Sequence, residues 1–270
     1  MASTAILLAA GYATRLYPLT QDRPKALLPL AGRVILDAVW DALGTVPDLA
    51  RRILVTNSRF AEPFRAWAKL RGAKLAIVDD GTSSNETRLG AMRDLELART
   101  QGGAVGDLLV VGTDNLFTWS LGDFVAQARR HHPAPSVAIG EASSKEAARQ
   151  LGVVLLDETG RIAQLLEKPA DPPSTKVALC VYYFPEPMLG RLTQFLQEGG
   201  RSDAPGYFIE WLVRREPAYG VPMRGTWFDI GTTEAYDAVV KTWPALAAGL
   251  NEPPGAPVGE TRRQSLGHKE

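Results

Sequence analysis

Four short segments carry side chains suited to phosphate chemistry. The first is Leu8-Ala9-Ala10-Gly11-Tyr12-Ala13-Thr14-Arg15-Leu16, which continues through Tyr17-Pro18-Leu19-Thr20 to Arg23-Pro24-Lys25. Small residues let backbone N–H groups come close to a polyphosphate, and Arg15 and Lys25 add two positive charges. No Gly-Lys-Ser/Thr closes this loop, so it is not a P-loop. The second and third glycines of a dinucleotide fingerprint are also missing. On composition alone a solvated surface loop fits equally well. The second segment, Leu108-Leu109-Val110-Val111-Gly112-Thr113-Asp114-Asn115, places Asp114 just past an apolar run. A carboxylate there suits Mg²⁺, which takes one or two carboxylates plus phosphate oxygens, and it equally suits the cap of a following helix. The third, Trp227-Phe228-Asp229-Ile230-Gly231-Thr232-Thr233-Glu234, offers Asp229 as a second ligand or as a turn residue before a helix capped by Thr232 or Thr233. Two carboxylates sharing one Mg²⁺ should lie within about 5 Å of each other, given metal–oxygen bonds near 2.1 Å. The fourth is Ala163-Gln164-Leu165-Leu166-Glu167-Lys168-Pro169. Here Glu167 could accept paired hydroxyl hydrogen bonds and Lys168 could neutralise a dianion, although a solvated turn has the same composition.

Elements must bring these segments together. Ile6–Leu8, Ile53–Val55, Leu75–Val78, Leu108–Val111 and Val137–Ile139 are short apolar runs that predict buried strands. Between them Ile35–Leu43, Ala61–Leu70, Arg88–Arg99 and Leu121–Arg130 have helical period. Such alternation predicts a parallel sheet covered by helices on both faces, with ligands beyond the carboxyl ends of the strands. After Gly140 the rhythm changes. Gly152–Leu156, Ile162–Leu166 and Val177–Phe184 predict antiparallel ribbons, followed by helices near Pro205–Arg215 and Thr232–Trp243.

In wording and spacing the first segment resembles the signature of the sugar-1-phosphate nucleotidyltransferases. Gly11, Thr14, Arg15, Leu16, Pro18, Thr20, Pro24 and Lys25 stand at the matching places, and Ala13 replaces a usual second glycine. The Gly-Thr-Asp-Asn around Asp114, the Trp-Phe-Asp-Ile-Gly-Thr around Asp229 and Glu167-Lys168-Pro169 follow in the family's order, and Leu151-Gly152-Val153-Val154 is similar to its Tyr-Gly-Val-Val. The resemblance implies a three-layer, Rossmann-like α/β fold with a mainly parallel central sheet and a C-terminal antiparallel ribbon. It further implies that Asp114 and Asp229 bind Mg²⁺, that Arg15, Lys25 and Asp114 serve catalysis, and that Gly11 and Thr14 meet the phosphates. Gly152, Glu167 and Lys168 are then expected to hold a sugar phosphate. The implied reaction joins a nucleoside triphosphate, dTTP or UTP first, to a sugar 1-phosphate with release of pyrophosphate. The base pocket is less explicit. Residues 79–91 lack the glutamine of thymidylyltransferases, and Thr82 and Asn85 are candidates for reading a pyrimidine edge. Ser84 or Asn85 capping a helix is the alternative. Where the family has a glycine before the Tyr-Phe pair there is Cys180, read as core. A CTP-dependent cytidylyltransferase for an alcohol phosphate, and a regulatory nucleotide-binding domain without turnover, are the rival readings.

Thirty basic residues balance thirty acidic ones among 270, so no global charge recruits nucleic acid or a membrane surface. One cysteine excludes an intramolecular disulfide framework and a cysteine-rich zinc site. The N-terminal apolar run has no basic start and reads as a strand rather than a signal peptide, and no stretch approaches a membrane span. The expectation is one cytoplasmic domain over residues 1–247, which the resemblance allows to form a homo-oligomer, and a flexible tail over 248–270 poor in residues to bury.

Overall fold

The computed structural model describes residues 2–250, and 251–270 of the expected tail lie outside them. Strands Ser3–Leu8, Leu49–Thr56, Ala76–Asp79 and Asp107–Gly112 run parallel, with Ser3–Leu8 between Asp107–Gly112 and Leu49–Thr56. Their buried stretches, such as Ala5–Leu7, Ile53–Val55 and Leu108–Val111, are apolar because both faces are covered there. Alternate residues serve opposite cores: Ala5, Leu7, Leu54, Leu109 and Val111 face one, while Ile6, Ile53, Val55, Leu108 and Val110 face the other. Helices Ile35–Leu43, Ala61–Arg71, Leu121–Ala128 and Thr233–Leu250 contribute to the first core, and Ala91–Gln101, Leu189–Gln197 and Pro205–Val213 to the second. This is the expected three-layer α/β arrangement.

Strand Lys176–Phe184 lies antiparallel to Asp107–Gly112 and continues the sheet into the hairpin Gly152–Leu156 and Ile162–Glu167. Ser136–Glu141 also pairs with it, and carries Tyr219–Pro222 in parallel at its other side. The antiparallel part is therefore built into the main sheet, which has nine strands among the described residues.

Three local expectations need correction. The helix placed at Arg88 begins at Ala91, because Gly90 sits at φ +90° with the Ser202 carbonyl pressed against it. Ser84 and Asn85 therefore cap nothing; Ser84 makes a local turn in which its carbonyl accepts the Thr87 hydroxyl at 3.1 Å. Asp114 caps no helix either, since the chain passes straight into strand Asn115–Phe117. Finally, the last helix runs to Leu250, past Trp243. Thr232 does cap it, accepting the Ala235 N–H at 3.2 Å.

Candidate functional site

The loop after Ser3–Leu8 opens at the carboxyl edge of the parallel strands. Gly11 is exposed, and a side chain there would meet no protein atom within 4 Å. Ala13 adopts φ 49°, ψ 41°, the left-handed conformation for which glycine is suited. It is fixed there by the buried Thr20 hydroxyl, which donates to the Ala13 carbonyl at 2.8 Å. Thr14 and Arg15 follow in a 3-10 turn, Thr14–Leu16, with both side chains outside. Behind Pro24 a second such turn, Lys25–Leu27, directs Lys25 inward.

Lys25 organises the centre. Its Nζ donates to Asp114 Oδ2 at 2.7 Å and to the Ile230 carbonyl at 2.9 Å. Strand Asn115–Phe117 pairs antiparallel with Trp227–Asp229, bringing Asn115 opposite Asp229. The Ile230 N–H donates to the Asp114 carbonyl at 3.1 Å. This small ribbon is what joins two aspartates distant in the chain. Burial works to raise the Asp114 carboxyl, but the Lys25 charge and hydrogen bonds from Lys25 and Asn115 outweigh it and hold Asp114 below its ordinary value. Asp229 is pushed up to about 6 by burial and by the Asp114 charge, against Lys25, Arg15 and Lys168. No described side chain lies within ion-pair distance of Asp229, whereas Asp114 has Lys25. Two carboxylates with one ammonium, bonded to Asp114 and not to Asp229, leave negative charge poorly compensated. That oxygen donor set fits a divalent cation such as Mg²⁺, which seldom demands an all-protein cage. Among the described residues there is no group of three or more His, Cys, Asp or Glu side chains placed to hold a metal. Arg15 is close by: its Nη2 is 3.8 Å from where a Cβ on Gly231 would sit.

A second cluster lies across the Lys176–Phe184 strand. Glu167 ends its strand opposite Gly152, and the Lys168 Nζ is 4.0 Å from Glu167 Oε1. Lys168 turns at φ 52° and its N–H donates to the Leu151 carbonyl at 3.1 Å. Glu167 has only 7% of its side chain exposed, and burial raises its carboxyl despite Lys168. The space it fills exists because Gly152 and Gly206 lack side chains. A Cβ at Gly152 would come 3.0 Å from Glu167 Oε2, and one at Gly206 only 1.7 Å. Cys180, read from the sequence as core, is partly buried between the two clusters and packs against the second core, its Sγ facing Gly112. Its thiol is pushed up by burial and by the charges of Asp114, Asp229 and Glu167, so it stays protonated.

The expected base residues divide. Thr82 is buried, its hydroxyl 3.1 Å from that of the buried Tyr12. Asn85 is further out, its carbonyl accepting Arg88 Nη1 at 2.8 Å. Asn57 was not anticipated. Fully buried just after Leu49–Thr56, it donates to the Ala10 carbonyl at 2.9 Å and accepts the Phe60 N–H at 3.1 Å. Its position past a parallel strand was the available signal.

A family profile described as Nucleotidyl transferase matches residues 4–243. The bifunctional protein GlmU of Methanocaldococcus jannaschii is 27% identical over 232 residues, 84% of this chain and 51% of that protein. The mannose-1-phosphate guanylyltransferase catalytic subunit beta of Drosophila melanogaster is 29% identical over 84% of this chain and 59% of its own length. The chain thus spans little more than half of these relatives. By contrast it covers 93% of the UTP–glucose-1-phosphate uridylyltransferase AglF of Haloferax volcanii, at 28% identity over 86% of this chain. Among solved structures, a UDP-glucose pyrophosphorylase in complex with UDP-glucose has the same fold, with a TM-score of 0.76, 18% identity and coverage of 91% of this chain and 99% of that one. A glucose-1-phosphate thymidylyltransferase-like protein from Bacillus anthracis superposes with a TM-score of 0.75 at 18% identity, covering 94% and 97%.

Proposed function

The chain belongs to the nucleotidyl transferase family, and on that premise we propose that it condenses a nucleoside triphosphate with a sugar 1-phosphate, yielding a nucleotide sugar and pyrophosphate. The observation that carries this reading is the pairing of Asp114 with Asp229 by one small ribbon, with Lys25 bonded across it and Arg15 alongside. In this reading the triphosphate lies over Gly11–Arg15 and the acceptor lies over Gly152, Glu167 and Lys168. An oxygen of the acceptor phosphate attacks the α-phosphorus in line. The bond from that phosphorus to its bridging oxygen breaks, and pyrophosphate leaves. Arg15 and Lys25 stabilise charge on the transferring and leaving phosphates, while Lys168 holds the acceptor phosphate and Glu167 its hydroxyls. A divalent cation bound by Asp114 and Asp229 would supply further neutralisation at the α-phosphate. No covalent nucleophile is needed, because positioning and electrostatics account for such a transfer.

Uridylyl or thymidylyl transfer is the form we favour. Its support is the near end-to-end coverage of the Haloferax relative, whose name states the uridylyl form. The test is pyrophosphate release with Mg²⁺ across five nucleoside triphosphates and a panel of sugar 1-phosphates, choline phosphate and inositol phosphate. Turnover with UTP or dTTP and a hexose 1-phosphate is expected. Activity confined to GTP or CTP would refute the choice of base, and silence with every pair would refute the reaction.

A further inference from the structure

Lys25 is bonded to both arms that carry the aspartate pair. Its Nζ donates to Asp114 Oδ2 at 2.7 Å and to the carbonyl of Ile230, one residue beyond Asp229, at 2.9 Å. Asn115 Nδ2 donates to the other Asp114 oxygen at 2.9 Å. Each oxygen of Asp114 therefore already accepts one donor. The Asp114 side chain is 33% exposed and that of Lys25 17%. The carboxylate can thus be reached from solvent, whereas the ammonium beside it is largely enclosed.

This arrangement sets two cations against each other. A carboxylate oxygen keeps a second lone pair, so Oδ2 could accept a metal as well as the ammonium. With a metal–oxygen bond of about 2.1 Å and Nζ 2.7 Å from the same oxygen, the two positive centres would lie at most about 5 Å apart. Like charges that close, in a site only partly open to water, repel strongly. The conflict is relieved when Lys25 is offered other anionic oxygens, and a triphosphate offers several. Gly231 shows how near the phosphate loop comes to this corner. The point where its Cβ would sit is 3.5 Å from Asp229 Oδ2 and 3.8 Å from Arg15 Nη2. Of the two Lys25 bonds, only the one to Asp114 has to be exchanged.

We propose that Lys25 is a charge gate on the aspartate pair: it competes with a divalent cation for Asp114 and gives Asp114 up when a triphosphate draws its ammonium away. Cation and triphosphate then favour each other's binding, and Lys25 sets the strength of that coupling. The proposal rests on the nucleotidyl transfer reading for the identity of the anion. It gives Lys25 a role before the chemical step, separate from its contact with the transferring phosphates.

The test uses Mn²⁺ alone as the probe, its binding followed by the electron paramagnetic resonance of the free ion. Lys25→Gln keeps an amide donor without the charge, Lys25→Met keeps neither, and Lys25→Arg keeps the charge. Lys25→Gln and Lys25→Met are expected to bind Mn²⁺ at least about tenfold more tightly than wild type, and Lys25→Arg within about threefold of it. Adding Asp114→Asn to Lys25→Gln should abolish the gain. Should Lys25→Met fail to fold, Lys25→Gln decides the matter. Equilibrium dialysis of UTP with and without Mn²⁺ then measures the coupling. The Mn²⁺–UTP complex formed in solution is common to every variant, so the coupling is compared as a ratio, expected to fall at least about fivefold from wild type to Lys25→Gln. Equal Mn²⁺ affinity in wild type and Lys25→Gln, the pattern of a purely structural ion pair, would overturn the gate. So would a gain that survives Asp114→Asn, a gain equally large in Lys25→Arg, or coupling unchanged by Lys25→Gln. Pyrophosphate release is read separately. A wild type that shows the expected Mn²⁺ pattern but never turns over refutes the transfer reaction and leaves the gate standing. Mn²⁺ bound by none of the proteins refutes the gate.

Discussion

Asp114 is held by Lys25 on one oxygen and by Asn115 Nδ2 at 2.9 Å on the other. Asparagine at this position keeps the volume but removes the charge shared with Asp229. Asp114→Asn should therefore lower pyrophosphate release by at least about 10²-fold while the protein remains folded, as checked by turnover and thermal melting on one preparation. Ala13 makes a different point. Its left-handed backbone costs an alanine about 1 kcal/mol that glycine escapes. Ala13→Gly is expected to raise Tm by about 2–4 °C, which calorimetry would register. The sequence exposed the substitution at this position, but only the structure shows that alanine takes up the backbone that glycine would.

At the scale of elements, helix Pro205–Val213 matters for what its first turn lacks. Glu167 Oε2 occupies the space next to Gly206, which a methyl group would take over. Gly206→Ala favours the helix by propensity yet must displace Glu167. We expect acceptor KM to rise by about tenfold with the triphosphate KM unchanged, measured by varying each substrate in turn. The long elements were legible because their patterns are strong: buried runs at Ile6–Leu8 and Leu108–Val111, and helical period at Ile35–Leu43. The ribbon of Asn115–Phe117 with Trp227–Asp229 was not. Each strand has three residues, too few for a period, and their pairing is a property of the tertiary fold. The helix expected at Arg88 failed for a related reason. Gly90 is held in a positive-φ conformation by close contact with Ser202, a residue distant in the chain.

For the whole molecule, Asp94 couples stability to pH. Burial in helix Ala91–Gln101, together with the charge of Asp80, pushes its carboxyl up to about 8 from the ordinary 3.8, so between those values the folded state binds more protons than the unfolded state. The stability Asp94 contributes is thus complete below about pH 4 and is lost as pH rises through about 8. Urea titrations across this window should show wild type weakening toward alkaline pH, and Asp94→Asn should flatten that decline. Asp94 gave little sign of this in the sequence, where it reads as one acid on an amphipathic helix. Asp80 comes from the loop after another strand, Ala76–Asp79. The same dependence on distant partners has a temporal side. Chains emerge N-terminus first and tend to fold in that order. The Ser3–Leu8 loop, Lys25 and Asp114 are all made before the Trp227–Asp229 strand that brings the second carboxylate. A nascent chain therefore possesses the parts of a nucleotide-holding pocket well before it can complete the aspartate pair. The partner of Asp114 is among the last parts of the described fold to be made.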